Sequence, residues 1–447
     1  MAEHDHSAWR AAPAHRPEQR PPAVAPPGPP PPPGPPGPPP PPAPASAPAP
    51  AGAVGGAAGP LIGPGPMAGP KGAHRAPAGP GDEPKPDERR LPPQLVWSAP
   101  ESFTGFQALS VWTEQVTGHG EDAEPFVVHH WPGDEGMIAV FDGSGGAGAG
   151  PVWQGPDGLR HTGAWVGSRV ARLATECWFR EVAREGEEAG PDSLHQYLDW
   201  FLAMAPQRRS KIGGTMRRHL PTTLAGVHYR VRGEQATVEL RPLWAGDSRA
   251  YVLTPSGGLH VLTRDHTRES DALELLRTDP PMTNVICADR EFTIDTQHIA
   301  SFEMPCVLIA ATDGYFGYVH TPADFEYLLL DTLRRANTTY EWADLLRRGV
   351  QRYTGDDASL ALLALGHQDF PALVATYEPR FAELTERYMR GRPAVLDGAP
   401  RAGGGEPEEP EGPQATQARV RAWQDHTWET YRTTYESHLP PASEEHR

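Results

Sequence analysis

The chain has 447 residues, enough for two or three domains, and its 40 Lys and Arg against 57 Asp and Glu give a formal net charge of −17. So acidic a chain lacks the basic face that would bind nucleic acid or an anionic membrane. Its three cysteines, Cys177, Cys287 and Cys306, are too few and too far apart for a disulfide framework or a zinc site.

The N-terminus, Met1-Ala2-Glu3-His4-Asp5, has no apolar core of a signal peptide, and no later stretch reaches membrane-spanning length, so a cytoplasmic protein is expected. Residues 1–95 are dominated by Pro, Ala and Gly, with runs such as Pro29-Pro30-Pro31-Pro32-Pro33. They hold almost no aromatic or β-branched residues with which to offset chain entropy, and a disordered or polyproline-like spacer arm is expected there. Lys occurs only at 71, 85 and 211, a preference for Arg that reads as the bias of a GC-rich genome.

The globular part is expected at 97–370. It opens with a strand or strand pair over 102–116, carrying Phe106, Leu109, Val111 and Trp112. Short strands follow at 126–129 and 136–141, the second closed by Asp142-Gly143. In 165–185, Val166, Val170, Leu173, Cys177 and Trp178 recur at steps of three and four, which predicts a helix. A second helix is expected at 193–205. Strands are predicted at 222–230, 237–244, 249–253 and 260–262, the last two joined as a hairpin by Ser256-Gly257-Gly258. Then come a strand at 307–311, helices at 322–334 and 341–353, and a strand at 359–365. Cys306 opens an apolar run, Cys306-Val307-Leu308-Ile309-Ala310, and reads as a buried thiol. Beyond lie a helix at 371–390, an acidic Gly/Pro/Glu linker at 391–418, and a helix and tail over 419–447 whose Trp423, Trp428, Tyr431 and Tyr435 should pack back on the domain. A simple βαβ alternation does not fit this order. An α+β fold does, with two antiparallel sheets as a central sandwich and helices packed outside, four layers in all.

Four acidic segments end or interrupt apolar runs: Gly120-Glu121-Asp122-Ala123, Phe141-Asp142-Gly143-Ser144-Gly145-Gly146, Ala311-Thr312-Asp313-Gly314 and Gly355-Asp356-Asp357-Ala358-Ser359. Taken singly, Asp142 and Asp313 read as turn residues before glycine. Brought to one sheet edge, such carboxylates make a hard oxygen pocket suited to Mg or Mn. Gly143 and Gly145 would let backbone approach closely.

These segments, with Thr222-Thr223-Leu224, Ala245-Gly246-Asp247-Ser248-Arg249-Ala250-Tyr251 and Leu262-Thr263-Arg264-Asp265-His266, resemble in order and spacing the motifs of the metal-dependent protein phosphatases, the protein phosphatase 2C family, over about 102–366. Ser144 stands where that family usually has His, and Pro221 where it has Gly. The resemblance implies a serine/threonine protein phosphatase with two Mn or Mg ions, in which metal-bound hydroxide attacks phosphoserine or phosphothreonine directly. It implies Asp142 as bridging ligand, the Gly143 carbonyl as a further ligand, Asp313 and Asp356 on one ion, and Glu121 on the other with Asp122 behind it. Asp142 and Asp122 would be the residues acting in catalysis. A phosphoprotein substrate and a cognate kinase are the implied partners, and neither nucleic acid nor membrane is expected.

Two positions depart from the family pattern. Thr117 occupies the place, five residues before Asp122, where a phosphate-binding Arg is frequent, and Gly317 the place, four after Asp313, where an acidic ligand for a third metal is frequent. They open a second reading, a catalytically impaired phosphatase-like regulator that binds a partner protein. Asp247-Ser248-Arg249 reads as structural, an Asp bonding a turn and an Arg paired across strands. His119, His129 and His130 read as ordinary polar or strand histidines, with His119 alone next to the expected site.

Overall fold

The computed structural model describes residues 95–101, 105–155, 158–186, 189–205, 218–278, 280–397 and 412–442. By compactness the chain divides into two units, Met1–Glu83 and Pro84–Arg447, and all described residues belong to the second. The expectations placed on residues 1–94 and on 398–411 of the linker lie outside the described residues.

Two antiparallel sheets carry the architecture. The first runs β1 (Val96–Ser98), β2 (Phe106–Thr113), β14 (Ala358–Leu365), β13 (Cys306–Ala311), β9 (Arg249–Thr254), β10 (Gly258–Val261). The second runs β11 (Asp295–Thr296), β8 (Thr237–Ala245), β7 (Leu224–Arg232), β4 (Glu135–Val140), β3 (Phe126–His130), with β12 (Ile299–Glu303) also on β8. A small hairpin pairs β5 (Pro151–Gln154) with β6 (Arg160–Thr162).

Alternation of side chains explains why the central strands are largely apolar on both faces. In β13, Cys306, Leu308 and Ala310 face the other sheet, while Val307, Ile309 and Ala311 face helices. In β4, Ile138 and Val140 enter the layer between the sheets, while Met137 and Ala139 meet the helices of the second face. α2 (Gly163–Glu185) and α3 (Pro191–Met204) cover that second face. α6 (Pro322–Arg335), α7 (Thr339–Val350), α8 (Phe370–Leu384) and α9 (Pro413–Tyr435) cover the first. The expected α+β sandwich flanked by helices is therefore the observed fold. Short helices α1 (Gly145–Gly148), α4 (Ala272–Arg277) and α5 (Asp313–Phe316) sit in the loops.

Local chemistry sets the helix ends. Thr162 caps α2 by accepting from Trp165 N at 3.1 Å, so the helix begins two residues before its first expected residue. α3, α6 and α9 each start on Pro, whose missing N–H costs nothing there. The strand expected over 102–116 is β2 alone, paired with β1. α8 passes into a wider turn at Thr385–Met389, and α9 begins inside the stretch expected to be linker. The hairpin, α4, β11 and β12 were not expected. None of the described helices is long and apolar enough to cross a membrane.

Register gathers the loops. β13 ends and β14 begins side by side, with Ala311 opposite Leu360, and β9 begins opposite the same Ala311. β4 ends where β7 begins and β8 ends, with Val140 opposite Ala225 and Leu224 opposite Ala245. The segments after β4, between β8 and β9, after β13 and before β14 therefore emerge at one end of the sandwich. The segment from β2 to β3 crosses the same end.

Candidate functional site: an acidic cleft

At that end Asp247, Asp313 and Asp356 line a cleft of about 330 Å3, shared with Arg249, Asp265, Phe316 and Tyr318. Asp142 adjoins them: burial first, then the charges of Asp122, Asp313, Asp247 and Asp356, holds its carboxyl well above the usual range. Five carboxylates from five separate segments thus act on one another. Burial and the neighbouring Asp313 and Asp265 push Asp247 up to about 8.

Each member is held by its surroundings. The Asp142 amide donates to Thr223 Oγ1 at 3.3 Å, and the Asp142 carbonyl accepts from Thr223 N at 2.8 Å and Thr222 Oγ1 at 2.7 Å. Thr223 Oγ1 also shares a hydrogen bond with Ser248 Oγ at 2.6 Å, tying the β8–β9 turn to the Asp142 loop. Asp122 is buried. Its Oδ2 accepts from Thr312 Oγ1 at 3.0 Å, and Thr312 Oγ1 accepts in turn from Ser359 N at 2.9 Å. Burial and the charge of Asp357 drive Asp122 well upward, against the pull of hydrogen bonds from Ser359 and Thr312. Asp122 is thus bonded to Thr312, the residue before Asp313, and feels the Asp313 charge.

The two adjacent aspartates separate by role. Asp357 spends both oxygens on backbone, accepting from Gln115 N at 2.8 Å and Glu121 N at 2.6 Å. Asp356 lines the cleft. Glu121 lies within reach of their charges. Its Oε1 accepts from Thr162 Oγ1, and burial followed by the charges of Asp357 and Asp356 raises it against that bond and Arg169.

Two glycines are required by space. A Cβ on Gly145 would lie 2.0 Å from Glu121 Oε2, and one on Gly143 would lie 2.5 Å from the Glu121 carbonyl oxygen. At Gly143 the obstacle is backbone, so the loop passes there only without a side chain; at Gly145 a side chain would displace the Glu121 carboxylate.

Three contributors to the site were not singled out in the sequence. Asp247 lines the cleft as well as taking a backbone hydrogen bond in its own turn. Arg249 pairs in the fork geometry with Asp265, at 2.9 and 2.7 Å, rather than across strands, and stacks on Phe316 at 4.3 Å. Arg169 holds the Glu121 turn by donating to the Gly120 and Glu121 carbonyls, each at 3.2 Å. For Asp247 a signal existed: Trp244-Ala245-Gly246-Asp247 repeats the strand-then-Asp pattern of Asp142 and Asp313.

Other residues fall elsewhere. His129 bonds the Tyr229 hydroxyl at 3.1 Å and His130 lies near Glu135, both toward the far end of β3. His119 and Thr117 are exposed on the loop before Glu121. Burial pushes the Cys306 thiol up to about 12, as befits a core thiol.

No metal-binding group of three or more His, Cys, Asp or Glu is present among the described residues. The donor chemistry nevertheless suits a hard divalent ion. The groups are all oxygen, and they repel one another in a buried setting where a cation would relieve the cost.

Among solved structures the chain is similar to the serine/threonine phosphatase PstP/Ppp of Mycobacterium tuberculosis, at 16% identity over 59% of this chain and 99% of that chain, TM-score 0.38. It is similar to the serine/threonine phosphatase Stp1 of Staphylococcus aureus, at 17% identity over 59% and 96%, TM-score 0.42. It is also similar to RsbX in complex with magnesium, at 14% identity over 61% and 100%, TM-score 0.37. No protein-family model matches the chain, and no curated protein matches it.

Proposed function

We propose that this chain is a metal-dependent phosphatase acting on phosphoserine and phosphothreonine in proteins. The observation that carries it is the convergence of Asp142, Asp313, Asp356, Asp122 and Glu121, drawn from four separate motifs, at one end of the sandwich. Asp142, Asp313, Asp356, Glu121 and the Gly143 carbonyl would hold the ions. Bound divalent ions supply an acidified water and neutralise phosphate oxygens.

The chain's own residues do the rest. A cleft with this many carboxylates repels a phosphate dianion. The arginines beside it are committed: Arg249 to Asp265, Arg169 to backbone carbonyls, and Arg277 to Glu274 and Asp425. Phosphate binding therefore depends on cations brought by the carboxylates. Thr162 and Arg169 orient Glu121, Thr312 and Ser359 fix Asp122, and Asp357 holds the Glu121 amide, so the ligands are preorganised by hydrogen bonds. Among the described residues no thiol or imidazole lines the cleft as a nucleophile, which favours direct attack by water.

The test is phosphate release from a phosphothreonine peptide with Mn, with Mg and with chelator. Release with Mn and its loss in chelator is expected. Activity indifferent to chelator would overturn the mechanism. The regulator reading rests on exposed Thr117 and on Gly317, where a Cβ would lie 2.8 Å from the Asp313 carbonyl oxygen and leaves little room for an acidic side chain. Mn binding without any turnover would favour it.

A further inference from the structure

The cleft has one apolar wall. It is built from Leu275, Leu276 and Pro280 around α4, facing Phe316 and Tyr318. α4 is a six-residue helix, too short to hold its place through its own hydrogen bonds. What lies behind it is α9, which returns to the body after residues 398–411.

The tie is a single carboxylate used twice. Asp271 Oδ1 caps α4, accepting from Leu273 N at 3.0 Å and Glu274 N at 3.1 Å. Asp271 Oδ2 accepts from α9, from Trp428 Nε1 at 3.1 Å and Arg432 Nη1 at 2.8 Å. At the other end of α4, Arg277 reaches Asp425 of α9 at 2.6 Å. Farther along α9, the Tyr435 hydroxyl lies 3.5 Å from Arg249 Nη1, and Arg249 both grips Asp265 on the cleft and stacks on Phe316. α9 has anchors besides α4: the Tyr431 hydroxyl donates to Glu326 of α6, His260 of β10 lies 2.8 Å from the Thr434 carbonyl, and Tyr431 and Tyr435 are buried in the core of the first helical layer.

We infer that α9 sets the position of the apolar wall, with Trp428 and Arg432 as positioning residues acting through Asp271, and that the wall takes an apolar side chain next to the phosphorylated residue. The substrate half rests on the phosphatase reading above; the brace itself does not. The carboxylate floor is held by other contacts, so loosening α9 should alter peptide recognition and spare the chemistry.

The experiment uses the full chain with Arg432→Met, which removes an exposed donor, and Trp428→Phe/Arg432→Met, which removes both. Arg432→Lys tests rescue by charge. Amide hydrogen exchange is followed over 271–277. KM and kcat are measured for a phosphothreonine peptide with flanking Leu and for 4-nitrophenyl phosphate, which has no peptide part. Exchange should quicken and peptide KM should rise, each by roughly three- to tenfold, as expected for one or two partly exposed polar contacts. Values for 4-nitrophenyl phosphate and the kcat for peptide should stay at wild-type level, and Arg432→Lys should recover most of the loss. Unchanged exchange overturns the brace, whatever the activity. A parallel fall for both substrates overturns the positioning role, since it would report loss of the whole domain. If wild type hydrolyses neither substrate while exchange quickens in the variants, the phosphatase reading fails and the brace stands.

Discussion

The helical layer over the first sheet contains a buried charge whose removal has a calculable cost. Glu326 of α6 is fully buried and Arg380 of α8 is 3% exposed. Arg380 donates through Nε to Glu326 Oε1 at 2.6 Å and through Nη2 to Oε2 at 3.0 Å, and the Tyr431 hydroxyl of α9 adds a third bond to Oε2 at 2.5 Å. Arg380→Met keeps most of the side-chain volume but leaves Glu326 with one hydrogen bond and no neutralising charge. Losing two charge-assisted bonds at roughly 1.5–3 kcal/mol each gives about 3–6 kcal/mol. Breaking one partner of a buried ion pair independently gives about 3–5 kcal/mol. Replacing the whole network, Glu326→Leu/Arg380→Met/Tyr431→Phe, removes the charge and the orphaned hydroxyl together and should restore wild-type stability or exceed it. Urea unfolding of the three proteins, followed by tryptophan fluorescence, reads both effects. The triad abuts Gly258 in the β9–β10 turn, at the end of the sheet opposite the acidic cleft, so Mn affinity should not move. An Arg380→Met protein within about 1 kcal/mol of wild type would refute the premise that Glu326 is carried as a buried charge.

Asp142→Ala should abolish Mn binding and turnover, because Asp142 is the carboxylate on which the charges of Asp122, Asp313, Asp247 and Asp356 all act; wild-type affinity by calorimetry would remove Asp142 from the ligand set. Gly145→Ala should weaken Mn binding by roughly ten- to a hundredfold while the fold remains, since its Cβ would force Glu121 to move, and calorimetry beside circular dichroism checks both halves. Glu135 supplies a pH test away from the cleft. Burial raises it, but hydrogen bonds from His228 and Arg230 and their charges outweigh burial and bring it from 4.5 to about 2. A carboxyl depressed in the folded state stabilises fully above its unfolded pKa, so the advantage over Glu135→Gln, at most about 3 kcal/mol, should be complete at pH 6 and close as pH falls from about 4.5 toward 2. An advantage undiminished in urea titrations at pH 3 would count against the pairing. Thr117→Arg on the exposed loop should lower KM for phosphopeptide about tenfold in an active enzyme by adding the missing phosphate contact; an unchanged KM would show that the loop does not face the phosphate.

What the sequence made legible was whatever burial writes locally. β13 and β14 are buried at every position, and apolar but for Ser359, because one face meets the other sheet and the other meets helices. α2 shows its periodicity because it covers a sheet with one side. The hairpin of β5 and β6 was not legible: its strands have four and three residues, too few to show alternation, and lie among Gly and Pro. α4 is similarly too short for a helical period. The acidic motifs were visible as residues, but their division of labour was not. Asp356 and Asp357 are neighbours of one type, and only the approach of the Gln115 and Glu121 amides commits Asp357 to the backbone. The Thr162 hydroxyl meets Glu121 across 41 positions of sequence, a contact that no local pattern encodes.

The same reasoning explains why Asp247 was taken for a turn residue. An Asp after a strand and a glycine looks identical whether it caps a turn or faces a cleft. The β8–β9 turn decides, because it is the place where the chain leaves one sheet and enters the other. Gly246, at φ +99°, makes the reversal, with no room for a side chain against Thr223. Ser248 then bonds Thr223, whose hydroxyl also receives the Asp142 amide. A turn that joins the sheets is thereby fixed to the loop that carries the central carboxylate, and Asp247, between Gly246 and Ser248, comes to face Asp313. The direction of that one side chain follows from long-range register, which the fold supplies and the sequence shows only as a repeated Asp at the end of an apolar strand.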